Sequence, residues 1–206
     1  MQVQTCIKGI QSESAPGSGD GLTWASAVHM VTSGQGNLSR WWQAKGTITP
    51  AEIQAVLTEA NLVGHLNNYA VYGPTSPFIS LAAGFVQRNP RAAANRVYSA
   101  VDTGLRFATK YWQRPGALFY CWTPVAIDQA IEIAAVSEPV RDTLIYQGWM
   151  RYQHQGEITA KVAVPANQIE RVEWWDGAQD RHQPVAVFSN PRFIEPQPLL
   201  NLREYF

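Results

Sequence analysis

A single α+β domain is the fold class that the sequence predicts, on three observations. Helix-type patterns fill most of the first three quarters and strand-type runs close the chain, which argues against an alternating parallel sheet. Two short runs of β-formers, residues 76–82 and 116–122, interrupt the helical part. At 206 residues, 46% of them hydrophobic and 16% charged, the chain can bury one substantial core, so one domain over residues 1–206 is expected.

Residues 3–10 make a short first segment, separated from the body by residues 11–21, where Ser, Gly and Pro mark a loop. Residues 24–31 are apolar with Ser26 and His29 interspersed, and read as a strand. Asn37 is expected to cap a helix with Leu38, Trp41 and Trp42 on one face, ended by Gly46. A clearer start follows: Thr49 as N-cap, Pro50 at the first helical position and Glu52 three after the cap form a capping box, with Ile53, Val56, Leu57 and Ala60 on the buried stripe.

After the strand at 76–82, Val97, Ala100, Val101, Leu105 and Ala108 recur at helical spacing and predict a helix over 91–112. Gly104 inside it lets a neighbour approach closely, at about 1 kcal/mol in helix propensity. The strand at 116–122 is opened by Pro115 and closed near Pro124. Residues 124–153 read mainly as helix, with Pro139 as a start after Ser137. Strands are then expected at 157–165, 169–175 and 185–188. The tail, 190–206, carries three prolines and ends on Leu199, Leu200, Leu202, Tyr205 and Phe206, so it should drape over the body.

Sixteen basic and sixteen acidic residues cancel, so no global field draws in nucleic acid or anionic membrane. Cys6 and Cys121 are too distant in sequence to suggest a disulfide framework and read as free thiols. No basic segment leads into an apolar stretch at the start, and no run of about 18 apolar residues occurs, so a signal peptide and a membrane span are unsupported. The expectation is a cytoplasmic chain, or a domain delivered to a target-cell cytosol. His65, His154 and His182 are too scattered for a zinc site, so no metal is expected. A P-loop, a dinucleotide-binding glycine fingerprint and a nucleophile elbow are all missing.

Chemistry enters with Gln155, Gly156 and Glu157, which open the 157–165 strand. Glutamate has low strand propensity and is costly to bury unpaired. Read alone, Glu157 is a solvated strand-end charge before it is anything else; its company changes the reading. Upstream stand the strand with Ser80, a helix ending in Phe107 and Ala108, and the hydrophobic strand at 116–122. Downstream come Pro165 and Ile169. This order resembles the mono-ADP-ribosyltransferase superfamily, the NAD-dependent fold shared by bacterial toxins and related enzymes. The Ser80 strand is similar to that family's middle motif, and Gln155 with Glu157 to its final Gln-x-Glu motif. The similarity covers about residues 28–173, in short and degenerate pieces.

The resemblance implies an ADP-ribosyltransferase-like split β-sandwich, in which two small antiparallel sheets flanked by helices hold NAD extended between them. NAD is then co-substrate. Cleaving its nicotinamide–ribose bond generates an oxocarbenium-like sugar, which a carboxylate stabilises. That role falls to Glu157, with a hydrogen bond to the ribose 2′-hydroxyl. Ser80 would support the glutamate and the ribose pocket, and Gln155 would contact the acceptor. Glutamine there makes arginine the less favoured acceptor and leaves a protein amide and a nucleobase open.

Many members grip the NAD phosphates with an arginine on the first strand. Here His29 stands on the apolar run instead, followed by Thr32 and Ser33, which resembles a subgroup that binds the adenosine ribose through a histidine. A core histidine is the competing reading. Arg40 is the alternative phosphate ligand, or else the solvated side of its helix. Tyr72 or Phe78 would stack on nicotinamide, although strand aromatics are core formers by default. The implied function is transfer of ADP-ribose to a macromolecular acceptor, protein or nucleic acid, by a toxin or effector with an antitoxin or immunity protein as possible partner. An NAD glycohydrolase and a non-catalytic binding module are the alternatives.

Overall fold

The computed structural model describes residues 2–12, 21–83, 85–88, 96–126, 136–137, 157–178 and 182–196. Gln155, Gly156, the helix start at Pro139 and the apolar end of the tail lie outside these residues. The described part is a mixed α+β fold around one antiparallel sheet.

In chain order the elements are β1 (Gln2–Gln11), α1 (Trp24–Thr32), β2 (Asn37–Leu38), α2 (Arg40–Lys45), α3 (Pro50–Val56), α4 (Glu59–Asn67), α5 (Tyr69–Tyr72), β3 (Phe78–Ala83), β4 (Phe85–Arg88) and β5 (Arg96–Ser99). There follow α6 (Ala100–Ala108), β6 (Gly116–Ala126), β7 (Val136–Ser137), β8 (Glu157–Lys161), β9 (Ala163–Val164), β10 (Ile169–Trp175) and β11 (Ala186–Ser189). The sheet runs β11-β10-β6-β1-β3-β8, with β7 on β6. The first segment is thus no appendage: β1 lies in the middle of the sheet.

The run at 24–31 is a helix, not a strand. Thr23 and Ser26 form a reciprocal capping box at its start, and Ala27 and Val31, four apart, are buried against the sheet. Asn37 belongs to β2, and Ser39 is the residue whose hydroxyl caps α2 by accepting from Trp42 N–H. The capping box of α3 is as expected, with Glu52 receiving Thr49 N–H and Lys45 Nζ at 2.9 Å each. The helix stops at Val56, however, because Thr58 caps a new one, α4, and Ala60 is exposed rather than buried.

Of the helix expected over 91–112, the described residues form α6. Residues Arg96–Ser99 pair with β4 as a hairpin, and Ser99 with Asp102 forms the capping box that starts the helix. It ends at Ala108, after which Lys110, Tyr111 and Trp112 take left-handed backbone angles and turn the chain into β6. β6 continues through Pro124 to Ala126, and β7 adds strand where helix was expected. The 157–165 strand breaks into β8 and β9 at Val162, whose φ is 46°. β10 has the expected bounds, and β11 begins one residue late.

One sheet face, with Cys6, Ile79, Leu81, Phe119, Ile158, Ile169 and Val172, packs on α1. The other carries Ile7, Leu118 and Trp175 under α6, and Phe78 under α4. The first residues of the tail do pack on the body: Trp122 Nε1 donates to Ile194 O and Ile194 N to Asn167 O, both at 2.8 Å. Cys6 and Cys121 face each other across β1 and β6 with sulfurs 3.7 Å apart, and remain free thiols. Among the described residues no helix is long and apolar enough to cross a membrane.

Candidate functional site

The site arises where β1 and β3 part. They pair at Cys6↔Ala83 and Ile7↔Ala82, and beyond those pairs the ladder stops. Lys8 stands in the opening and its Nζ donates to the Ser80 carbonyl at 3.2 Å. Two cavities meet there, sharing Lys8, Tyr69 and Ser80. One, of about 240 Å³, reaches to Ala82, Thr103 and Phe107; the other, of about 470 Å³, reaches to Asn37, Arg40 and Phe78.

A buried relay supports Ser80. α4 packs Leu62 and Leu66 against Phe78, which brings His65 over β3. His65 Nδ1 lies 2.7 Å from Ser76 Oγ and its Nε2 lies 2.9 Å from Ser80 Oγ. Ser76 Oγ also accepts Phe78 N–H at 3.1 Å. A neutral imidazole donates at one nitrogen and accepts at the other, so His65 bridges the two serines, one hydroxyl donating to the ring and the other accepting from it. The ring is held neutral: burial, and secondarily the Lys8 charge, push its pKa down to about 3. Tyr69 meets the ring edge-on, with centroids 5.3 Å apart.

β8 closes the arrangement. It pairs with β3 in the register Phe78↔Lys161, Ser80↔Thr159 and Ala82↔Glu157. The backbone of Glu157 therefore lies opposite Ala82, a residue that lines the smaller cavity, and two residues along from the Ser80 pair.

Of the residues singled out in the sequence, Ser80, Phe78 and Arg40 line this cleft, and Glu157 begins the strand beside it. Phe78 is a core residue at 3% exposure as well as a wall of the larger cavity. His29, Thr32 and Ser33 do not belong. All three are exposed on α1 or its C-cap, and Thr32 Oγ1 is turned back onto the Val28 carbonyl at 3.1 Å. The first strand of the chain is β1, which pairs with β3, so the cation on the first strand is Lys8. Tyr72 lines neither cavity; its ring lies against Gly64. Gln155 is outside the described residues.

Sequence reasoning missed Lys8, Ser76 and His65. The available signal was Lys8, the one charge in a strand that is otherwise uncharged. Nothing local marks the His65 relay, because it exists only once α4 has folded over β3.

No family model matches the chain, and no curated protein is significantly similar to it.

Proposed function

We propose that this chain is an NAD-dependent ADP-ribosyltransferase whose NAD lies in the cleft between β1 and β3. The observation that carries the reading is the pairing of β3 with β8, which makes neighbours of the Ser80 strand and the strand opened by Glu157. In the resembled family these are the two strands that share the reacting ribose. The parting of β1 from β3 is read as the split of an ADP-ribosyltransferase-like sandwich.

The residues lining the cleft suit a dinucleotide. Lys8 and Arg40 give it two cations for the phosphates. Thr103, 2% exposed at the smaller cavity, has a hydroxyl with no partner among the described residues. Ser80, hydrogen-bonded to neutral His65, is suited to a ribose hydroxyl. In this reading Glu157 is the carboxylate that stabilises the positive charge growing as the nicotinamide–ribose bond breaks. Gln155 supports contact with a macromolecular acceptor, with a toxin or effector as the class of protein.

Incubation with labelled NAD and a cell extract tests this. Label should become macromolecular, and separate protease and nuclease digestion should release it in one arm, identifying a protein or nucleic-acid acceptor. Free ADP-ribose with no labelled macromolecule would mean a glycohydrolase, and no consumption of NAD would mean a binding module.

A further inference from the structure

The turn that joins α6 to β6 holds three consecutive residues in a backbone conformation that L-residues disfavour. Lys110, Tyr111 and Trp112 have φ of 47°, 57° and 66°, and none is glycine. The turn is nevertheless firmly held. Thr109 Oγ1 accepts Trp112 N–H at 3.0 Å, Tyr111 N–H donates to Arg106 O at 2.8 Å, and Trp112 packs on the cluster of Leu105, Ala108 and Trp175. Further on, Gly177 lies so close to the Arg114 backbone that a Cβ would meet its carbonyl oxygen. This anchoring leaves two large rings outside: Tyr111 is 54% exposed and Phe107, in the last turn of α6, 42%. Aromatic rings ordinarily serve a core; here Trp112 packs inward while the other two remain in solvent.

The same segment concentrates positive charge. Residues 103–127 include Arg106, Lys110 and Arg114 and no acid, in a chain whose sixteen cations and sixteen anions cancel overall. We propose that this turn docks a single-stranded polynucleotide, with bases stacked on Phe107 and Tyr111 and phosphates against Lys110 and Arg114, and that this strand is the acceptor of ADP-ribose. Stacking on a protein ring needs bases that are not already stacked in a duplex, so a single strand fits and a duplex does not. Neither stacking nor phosphate pairing reads the sugar, so DNA and RNA strands are bound alike. An acidic protein segment would match the cations but leave the two rings without a partner. Phe107 ties the dock to the cleft: it is exposed and it also lines the smaller cavity, together with Ala82, the residue opposite Glu157. A base stacked on Phe107 is thereby delivered beside the strands that carry Ser80 and Glu157. The docking rests on the turn alone, and the acceptor role rests on the NAD reading above.

Fluorescence anisotropy tests it with a short mixed-sequence single strand, as DNA and as RNA, the DNA duplex of the same sequence, and polyglutamate. Wild type should bind both single strands about tenfold more tightly than the duplex or polyglutamate. Tyr111→Ala should weaken single-strand binding about tenfold, and Tyr111→Phe should keep it, since a ring is what the base needs. Lys110→Gly removes a phosphate contact and relieves the positive φ. The slope of log affinity against log salt should therefore fall by about 0.7, with the melting temperature held or raised. Wild type that binds no single strand, or binds duplex or polyglutamate equally well, overturns the proposal. So do Tyr111→Ala and Lys110→Gly proteins that bind as wild type does; if Tyr111→Ala does not fold, Lys110→Gly decides. Label released from the acceptor by protease alone overturns the acceptor role even where single strands bind. Failure of the NAD reading is seen separately, as NAD left unconsumed, and it leaves the dock to stand or fall on the anisotropy.

Discussion

Against β6, β1 is paired along its whole length, from Gln2↔Val125 to Gln11↔Gly116; against β3, its pairing ends at Ile7↔Ala82. α6 lies over the first seam so closely that a Cβ on Gly9 would meet the Gly104 carbonyl, one on Gly104 the Ile7 side chain and one on Gly116 the Ala108 carbonyl. Those glycines serve packing. The second seam is left to Lys8, His65, Ser76 and Ser80. Beside the closed seam a buried carboxylate is fully engaged: Glu173 receives Tyr120 Oη at 2.9 Å, Arg171 Nε at 3.0 Å and Trp175 Nε1 at 3.2 Å. Burial and Glu173 push the Tyr120 hydroxyl up to about 12, while Arg171 stacks on its ring at 3.5 Å. In the open seam the polar side chains instead converge on two cavities that share Lys8, Tyr69 and Ser80.

The largest effect that would sharpen this contrast is at Glu157. Glu157→Gln should leave the fold intact and lower label transfer about a thousandfold, the 3–4 kcal/mol typical of removing one charge-stabilising group. Retention of more than about a tenth of wild-type turnover, measured by nicotinamide release, would remove Glu157 from the chemistry.

On the closed seam the loss should be of stability. Gly9→Val drives side-chain atoms into the Gly104 backbone and should cost roughly 2–3 kcal/mol, read from the urea midpoint. A midpoint within experimental error of wild type would mean that α6 does not bear on β1 as described.

Acid acts on the open seam through His65. Its pKa in the folded chain, about 3, is below the ordinary value near 6.5, so the unfolded chain takes up the proton first as pH falls. Stability from this group is full above about pH 6.5 and is lost toward pH 3, by up to roughly 1.4 kcal/mol per pH unit. His65→Gln should flatten the slope in that window, followed by denaturation at a series of pH values. An unchanged slope would mean that His65 titrates normally.

The smallest effect is expected at the discarded candidate. His29→Ala, exposed on α1, should change stability by less than about 0.5 kcal/mol and leave NAD affinity alone. A clear loss of affinity would return α1 to the site.

Where a local signal was complete, the fold was legible. Thr49-Pro50-x-Glu52 identified the start of α3, and β10 emerged with its expected ends. Short apolar runs were ambiguous between the two periodicities: in 24–31 the spacing of Trp24, Ala27 and Val31 was the helical clue, outweighed by the apolar run itself. Residues 96–99 carry apolar positions that continue the helical stripe, yet hairpin pairing with β4 prevails over that pattern. At the candidate site, Ser80 and Glu157 were singled out through resemblance, and the strands that carry them, β3 and β8, pair with each other. His29 was chosen because the first strand was sought in the wrong segment. Lys8 gains meaning only from the point where the β1–β3 ladder stops, set by pairing between segments far apart in sequence.

Calorimetric titration of NAD into wild type and Lys8→Gln is the most direct test that the open seam is the binding site. Wild type should bind, and Lys8→Gln should bind about tenfold more weakly at an unchanged melting temperature, as expected for losing one charged hydrogen bond. NAD binding that is absent from wild type, or indifferent to Lys8, would contradict the account.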